Sequence, residues 1–129
     1  MSNKKVGNKL EVKVANILKQ KGYWVHNFNS GITGQPVDLI AVRNDTAVLI
    51  EVKSNKSKRF RLSRIEDNQQ TVIEYYTYLG NHHIYFAIEL EDEIYMIEGM
   101  KLLECRNIGI LSVDKNYLEK NGRRLSEWR

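Results

Sequence analysis

Between Lys4 and Lys21 the apolar residues Val6, Leu10, Val14, Ile17 and Leu18 recur at helical spacing, which predicts a helix with one buried stripe. Gly22 follows the stripe and predicts its end. The period then changes. Tyr23 to Phe28 is dense in β-forming residues and predicts a strand, and Asn29 to Pro36, with two Gly and the sole Pro, predicts a loop. Val37 to Val42 and Thr46 to Val52 predict two more strands, joined by a tight reversal at Asn44-Asp45. Lys53 to Leu62 reads as an exposed loop, and Ser63-Arg64-Ile65-Glu66 has the spacing of a capping box that starts a second helix. Ile65, Val72, Ile73, Tyr76 and Leu79 supply the buried stripe of that helix, and Gly80-Asn81 stops it. His83 to Leu90 and Glu93 to Glu98 predict strands around an acidic turn, Met100 to Cys105 a short helix, and the remainder to Arg129 is polar with a weak pattern. This order predicts an α/β fold, a mixed central sheet flanked by helices in the order α-β-β-β-α-β-β.

Composition narrows the class. A chain of 129 residues with 42% hydrophobic and 28% charged positions is expected to form one domain over residues 1–129. The lone Cys105 cannot form an internal disulfide, and no zinc-type cysteine spacing exists, so a buried spectator thiol in a reducing compartment is expected. The basic N-terminus lacks a signal-peptide apolar stretch and no run has the length of a membrane helix, which points to the cytoplasm and away from membranes. The net charge of +4 matters less than its placement. Lys4, Lys5, Lys9, Lys13, Lys19 and Lys21 face only Glu11 in the first segment, and Lys53, Lys56, Lys58, Arg59, Arg61 and Arg64 face no acid in the second. Such segregation would give one positive face able to bind a phosphate backbone; ordinary solvated lysines would give the same composition.

The candidate chemistry lies where the two predicted strands meet. Side chains alternate along a strand, so Glu51 and Lys53 share one face while Ile50 and Val52 take the other. In a hairpin turning at Asn44-Asp45, facing residue numbers sum to about 89, which sets Asp38 opposite Glu51. Two facing carboxylates repel and call for a cation, and a hard divalent ion such as magnesium suits two acids beside a basic loop. With such an ion, Asp38 and Glu51 would form a metal site for phosphodiester hydrolysis, with Lys53 polarising the nucleophile and screening the phosphate. The plainer account makes Asp38 a turn residue and Glu51 with Lys53 an exposed pair of little energetic weight. Two further residues bear on the choice. Gly7 inside a helix costs about 1 kcal/mol relative to Ala, which a close approach by DNA or the active-site loop would explain, with Glu11 leaning toward the metal; a frayed first turn explains it as well. Gln69 stands where the second helix should be apolar, so a buried polar partner is expected for it.

Gly7, Glu11, Ser30, Pro36-Val37-Asp38, Glu51-Val52-Lys53 and the helix bearing Gln69 together resemble the PD-(D/E)XK nuclease superfamily. Within it the chain looks most like the small Holliday junction resolvases of archaea and phages, over roughly its first two thirds. Val37 separates Pro36 from Asp38, so the literal Pro-Asp pair is absent, a variation the superfamily tolerates. The resemblance implies a restriction-endonuclease-like fold, metal binding by Asp38, Glu51 and the Val52 carbonyl, a catalytic Lys53 assisted by Glu11, and support from Ser30 and Gln69. It also implies Mg2+, with Mn2+ as a substitute, and a homodimer that cuts four-way junctions in pairs to leave a 5′-phosphate. DNA would be held by Lys4, Lys5, Lys9, Lys56, Lys58, Arg59, Arg61 and Arg64.

Two other functions fit the same residues: a nuclease of this superfamily acting on flaps, ends or specific duplex DNA, and a non-catalytic DNA-binding module that keeps the fold. His82 and His83, adjacent in sequence, cannot grip one metal from a strand, and the Glu91-Asp92-Glu93 cluster reads as a solvated turn. Tyr76 is expected in the core, and Tyr75 or Tyr78 at a dimer interface or stacked on an unpaired base.

Overall fold

The computed structural model describes the backbone of residues 3–28 and 37–129, and side chains from residue 9 onward within those ranges. Ser30 and Pro36 therefore lie outside the described residues, as do the side chains of Lys4 and Lys5. Helix α1 (Asn3–Gln20) carries Leu10, Val14 and Leu18 on its buried side and ends where Gly22 adopts a φ of +94°. Strands β1 (Trp24–Asn27), β2 (Leu39–Arg43) and β3 (Thr46–Lys53) follow, with Asn44 at φ +56° in the reversal.

The β2–β3 pairing has Leu39 facing Ile50 and Arg43 facing Thr46, the register expected from the turn. One face of this hairpin, through Leu39, Ala41, Val48, Ile50 and Val52, packs on α1. The other face looks toward the remaining helices, and Glu51 and Lys53 belong to it.

The basic segment after β3 departs from expectation. It is not wholly an exposed loop: Arg59–Arg61 forms β4, whose Phe60 is fully buried, and it pairs antiparallel with β7 (Ser112–Asp114). Leu62–Arg64 makes a 3-10 turn, and α2 (Asp67–Tyr78) begins later than the Ser63 spacing suggested. Ile65, 3% exposed, is drawn into the core in an extended conformation, so the helix cannot start before it. The capping box is instead formed by Glu66 and Gln69, with Gln69 Oε1 accepting from the Glu66 N–H at 3.0 Å. Within the helix Ile73 is buried and Val72 and Tyr76 half-buried, but Leu79 lies exposed at the helix end, beside Gly80 at φ +88°.

Strands β5 (Ile84–Leu90) and β6 (Glu93–Glu98) form the expected hairpin, and α3 (Gly99–Asn107) contains the short helix expected over 100–105. His82 and His83 fall before β5 and are exposed. The C-terminal stretch, polar and weakly patterned in sequence, folds into β7, α4 (Lys115–Asn121), β8 (Arg123–Arg124) and a 3-10 turn over Leu125–Glu127. Among the described residues the main sheet has six strands in the order β1-β2-β3-β5-β6-β8, with β3–β5 parallel and the other pairs antiparallel. Trp128 closes the α1 side, stacking on Tyr23 at 5.6 Å and meeting Tyr85 edge-on at 5.5 Å. Cys105 is buried, with its thiol 3.1 Å from the Tyr117 hydroxyl. No helix among the described residues is long and apolar enough to cross a membrane.

Candidate active site

Where β2 begins, the chain is stitched on both sides. The Asp38 N–H donates to the Ile50 carbonyl at 3.0 Å and the Asp38 carbonyl accepts from Phe28 at 2.8 Å. The ladder ends there, yet β3 runs on through Lys53, and its next inward N–H needs an acceptor. The Asp38 side chain provides it: Oδ2 accepts the Val52 N–H at 2.7 Å. That bond fixes the Asp38 carboxyl beside Glu51 and ties the end of β3 to the turn preceding β2.

From the other side α2 supplies Gln69. Its Oε1 caps the helix through Glu66, which turns its Nε2 toward β3, where it donates to Glu51 Oε1 at 2.9 Å. This is the buried partner that an amide on an otherwise apolar stripe demanded. The second Glu51 oxygen, Oε2, is buried with no hydrogen-bond partner. Burial first, and the neighbouring Asp38 carboxylate second, push the Glu51 carboxyl up to about 10 from 4.5; Glu11 adds to the same rise, so it stands within electrostatic reach. Lys53 is held on the same face by donating from Nζ to the Arg64 carbonyl at 3.0 Å, and burial lowers the pKa of its ammonium despite the nearby acids. Arg64 is anchored in turn: its guanidinium donates to the Ser54 carbonyl at 2.6 Å and lies over the Phe60 ring.

Among the described residues, five polar or charged side chains are buried: Glu11, Asp38, Glu51, Lys53 and Gln69, between 4% and 8% exposed. Such groups are almost never buried without a purpose that offsets their desolvation. All five are the candidates the sequence singled out, so the exposed-pair account of Glu51 and Lys53 does not hold. Helix α1 is also regular through Gly7, which sits in its second turn.

The donor set fits a hard divalent cation. An orphaned carboxylate oxygen beside a second carboxyl needs either a proton or a cation, and burial has removed water from it. Among the described residues no three His, Cys, Asp or Glu side chains group closely enough to hold an ion by themselves. Two adjacent carboxyls suit magnesium, which keeps several waters and takes phosphate oxygens as further ligands.

Lys9, Lys56, Lys58, Arg59 and Arg61 are exposed. Arg59 is partly engaged by the protein, 3.5 Å from Asp114 and donating to Ser112, and Arg64 is committed to Ser54. Lys56, Lys58 and Arg61 have the freer charges of the second basic segment. The site residue that sequence reasoning missed is the Arg64 backbone, whose carbonyl holds Lys53; no side-chain pattern signals a main-chain acceptor.

Comparison with known proteins bears on the fold and the family. The family described as archaeal Holliday junction resolvase (Hjc) matches residues 2–127. The solved structure of Hjc, a Holliday junction resolvase from the archaeal hyperthermophile Archaeoglobus fulgidus, matches with a TM-score of 0.68 at 19% identity, covering 94% of this chain and 98% of that one. That likeness establishes the mixed α/β fold. A UPF0102 protein of Alkaliphilus oremlandii is 40% identical over 58 residues, 45% of this chain and 50% of the relative, so the match spans half of the relative's length. A UPF0102 protein of Fervidobacterium nodosum is 28% identical over 105 residues, 81% of this chain and 76% of the relative.

Proposed function

This chain belongs to the archaeal Holliday junction resolvase family, within the PD-(D/E)XK nucleases, and from that premise we propose that it is a magnesium-dependent endonuclease that resolves four-way DNA junctions and leaves 5′-phosphate ends. The observation that carries the reading is the burial of Glu11, Asp38, Glu51, Lys53 and Gln69, the buried polar and charged residues among those described.

Asp38, Glu51 and the Val52 carbonyl would hold Mg2+, or Mn2+ in its place. When bound, the ion supplies positive charge against the phosphate oxygens and polarises the attacking water. Asp38 is aimed by the Val52 N–H, and Glu51 by the Gln69 amide, so neither carboxyl has to reorient when substrate arrives. Lys53, whose burial loosens its proton, directs an N–H at the nucleophile and screens the phosphate. Glu11 assists from α1. Lys9, Lys56, Lys58 and Arg61 hold the phosphate backbone, joined more weakly by Arg59 and Arg64, with a homodimer presenting two sites to the two symmetric strands.

The test is a synthetic four-way junction incubated with magnesium and either the wild-type chain or Asp38→Asn. Paired, symmetric nicks that a DNA ligase can reseal are expected from the wild type, resealing being diagnostic of a 5′-phosphate. Asp38→Asn should bind the junction with little loss and cut nothing. Equal cleavage of linear duplex or flaps would refute junction selectivity, and binding without any cleavage by the wild type would refute the nuclease.

A further inference from the structure

We propose that Arg106, on the last turn of α3 and far in sequence from the acidic cluster, is a positioning residue that sets the placement of Lys53 and Glu51; the inference rests on the nuclease reading above. The segment from Leu62 to Gln70 has two duties at the site. Its Arg64 carbonyl accepts the Lys53 ammonium at 3.0 Å, and its Gln69 amide donates to Glu51 at 2.9 Å. The 3-10 turn and the first turn of α2 that carry these duties stand outside the main sheet, tied back to the end of β3 by the Arg64 guanidinium on the Ser54 carbonyl.

Arg106 grips this segment at both ends. Nη1 donates to the Ile65 carbonyl at 3.1 Å and to the Leu62 carbonyl at 3.4 Å, and Nη2 donates to Gln70 Oε1 at 2.6 Å. Leu62 and Ile65 bracket Arg64, and Gln70 is the neighbour of Gln69. The two adjacent glutamines thus point to different anchors, Gln69 to the acid and Gln70 to the arginine. A guanidinium suits this task because its rigid fork meets several acceptors in one plane, which an ammonium cannot do from the same position. The base of the arm is fixed as well. Helix α3 lies so close to α2 that a Cβ on Gly99 would come within 2.9 Å of Ile73 Cδ1, and the positive charge at the C-terminal end of α3 complements that helix's dipole.

Residues that orient groups at a metal site commonly change affinity or activity about 10- to 100-fold when lost. Arg106→Gln is therefore expected to lower the turnover of a saturating junction by about that range, while the junction Kd measured without magnesium moves less than about threefold because no phosphate contact is removed. Arg106→Lys should recover only part of the rate. An NMR readout independent of cleavage is the Gln69 side-chain amide, whose shift and slow exchange report its bond to Glu51. In Arg106→Gln these signals are expected to move toward those of a solvated amide while the dispersed core resonances persist. Unchanged Gln69 signals in folded Arg106→Gln would overturn the proposal, as would unchanged turnover, and so would a Kd increase that accounts for the whole loss, which would make Arg106 a DNA contact. Should Arg106→Gln fail to fold, the same criteria apply to Arg106→Lys. A wild-type chain that cuts nothing refutes the nuclease reading alone, since the Gln69 signals still decide what Arg106 holds.

Discussion

Replacing Glu51 by Gln should make the metal-free protein more stable, and increasingly so as pH rises. The wild-type carboxyl is pushed from 4.5 to about 10 by burial and by Asp38. Between those values the folded chain keeps a proton that the unfolded chain has released, so stability must fall with rising pH. The contribution is fully present below pH 4.5 and lost once pH passes about 10. Each unit in that window is worth about 1.4 kcal/mol, so by pH 7 the wild type has lost on the order of 3 kcal/mol relative to acid conditions. A glutamine at 51 has nothing to titrate, and its Oε1 still accepts the Gln69 amide that now lies 2.9 Å from Glu51. Urea denaturation of both chains in EDTA at several pH values checks this, with an unchanged m-value required for the comparison. The stability difference should widen steadily from pH 5 to pH 9. Adding magnesium should close the gap by stabilising the wild type alone, since an ion held by Asp38 and Glu51 as proposed would replace the proton. A difference that stays flat with pH, or shrinks as pH rises, would refute the buried-acid reasoning.

Lys53→Met should reduce junction cleavage about 100-fold or more while leaving junction affinity near wild type, as gel-shift and single-turnover assays would show. Gly122→Ala should lower the melting temperature, since its Cβ would lie 2.7 Å from the Met96 carbonyl oxygen, a backbone atom that cannot step aside; a loss of about 1–3 kcal/mol is expected by calorimetry. Asp92→Gly should raise the urea midpoint by up to about 1 kcal/mol of stability, because Asp92 sits at φ +68° in the β5–β6 turn. Trp128→Ala should destabilise by about 3–5 kcal/mol, given its stacking on Tyr23 and its edge contact with Tyr85, and near-ultraviolet circular dichroism would report the lost packing.

The hairpin was legible in the sequence because it is local. The turn at Asn44-Asp45 and the alternation of apolar residues together specify which residues face each other, and the Leu39–Ile50 pairing follows from them. Gln69 was legible for a related reason, an amide interrupting an apolar stripe. What stayed hidden depends on distant partners. Strand β4 has three residues, and its Phe60 joins the core across from Val113, a partner far along the chain. Ser63 had the right neighbours for a cap, yet the burial of Ile65 outweighed that local preference and moved the cap to Glu66. The C-terminal stretch owes its order to Leu118, Leu125 and Trp128, which reach the core from short elements without a repeating period.

The pairing of β4 with β7 also sets an order of assembly. The hairpin that presents Asp38, Glu51 and Lys53 closes over a few residues, whereas Arg59 meets Asp114 only once the chain has been made through Asp114. Contacts between distant segments form later because a long loop must first be closed. A growing chain leaving the ribosome thus carries its acids before it has built the frame around them, and the polar site is complete only once β7 has been made.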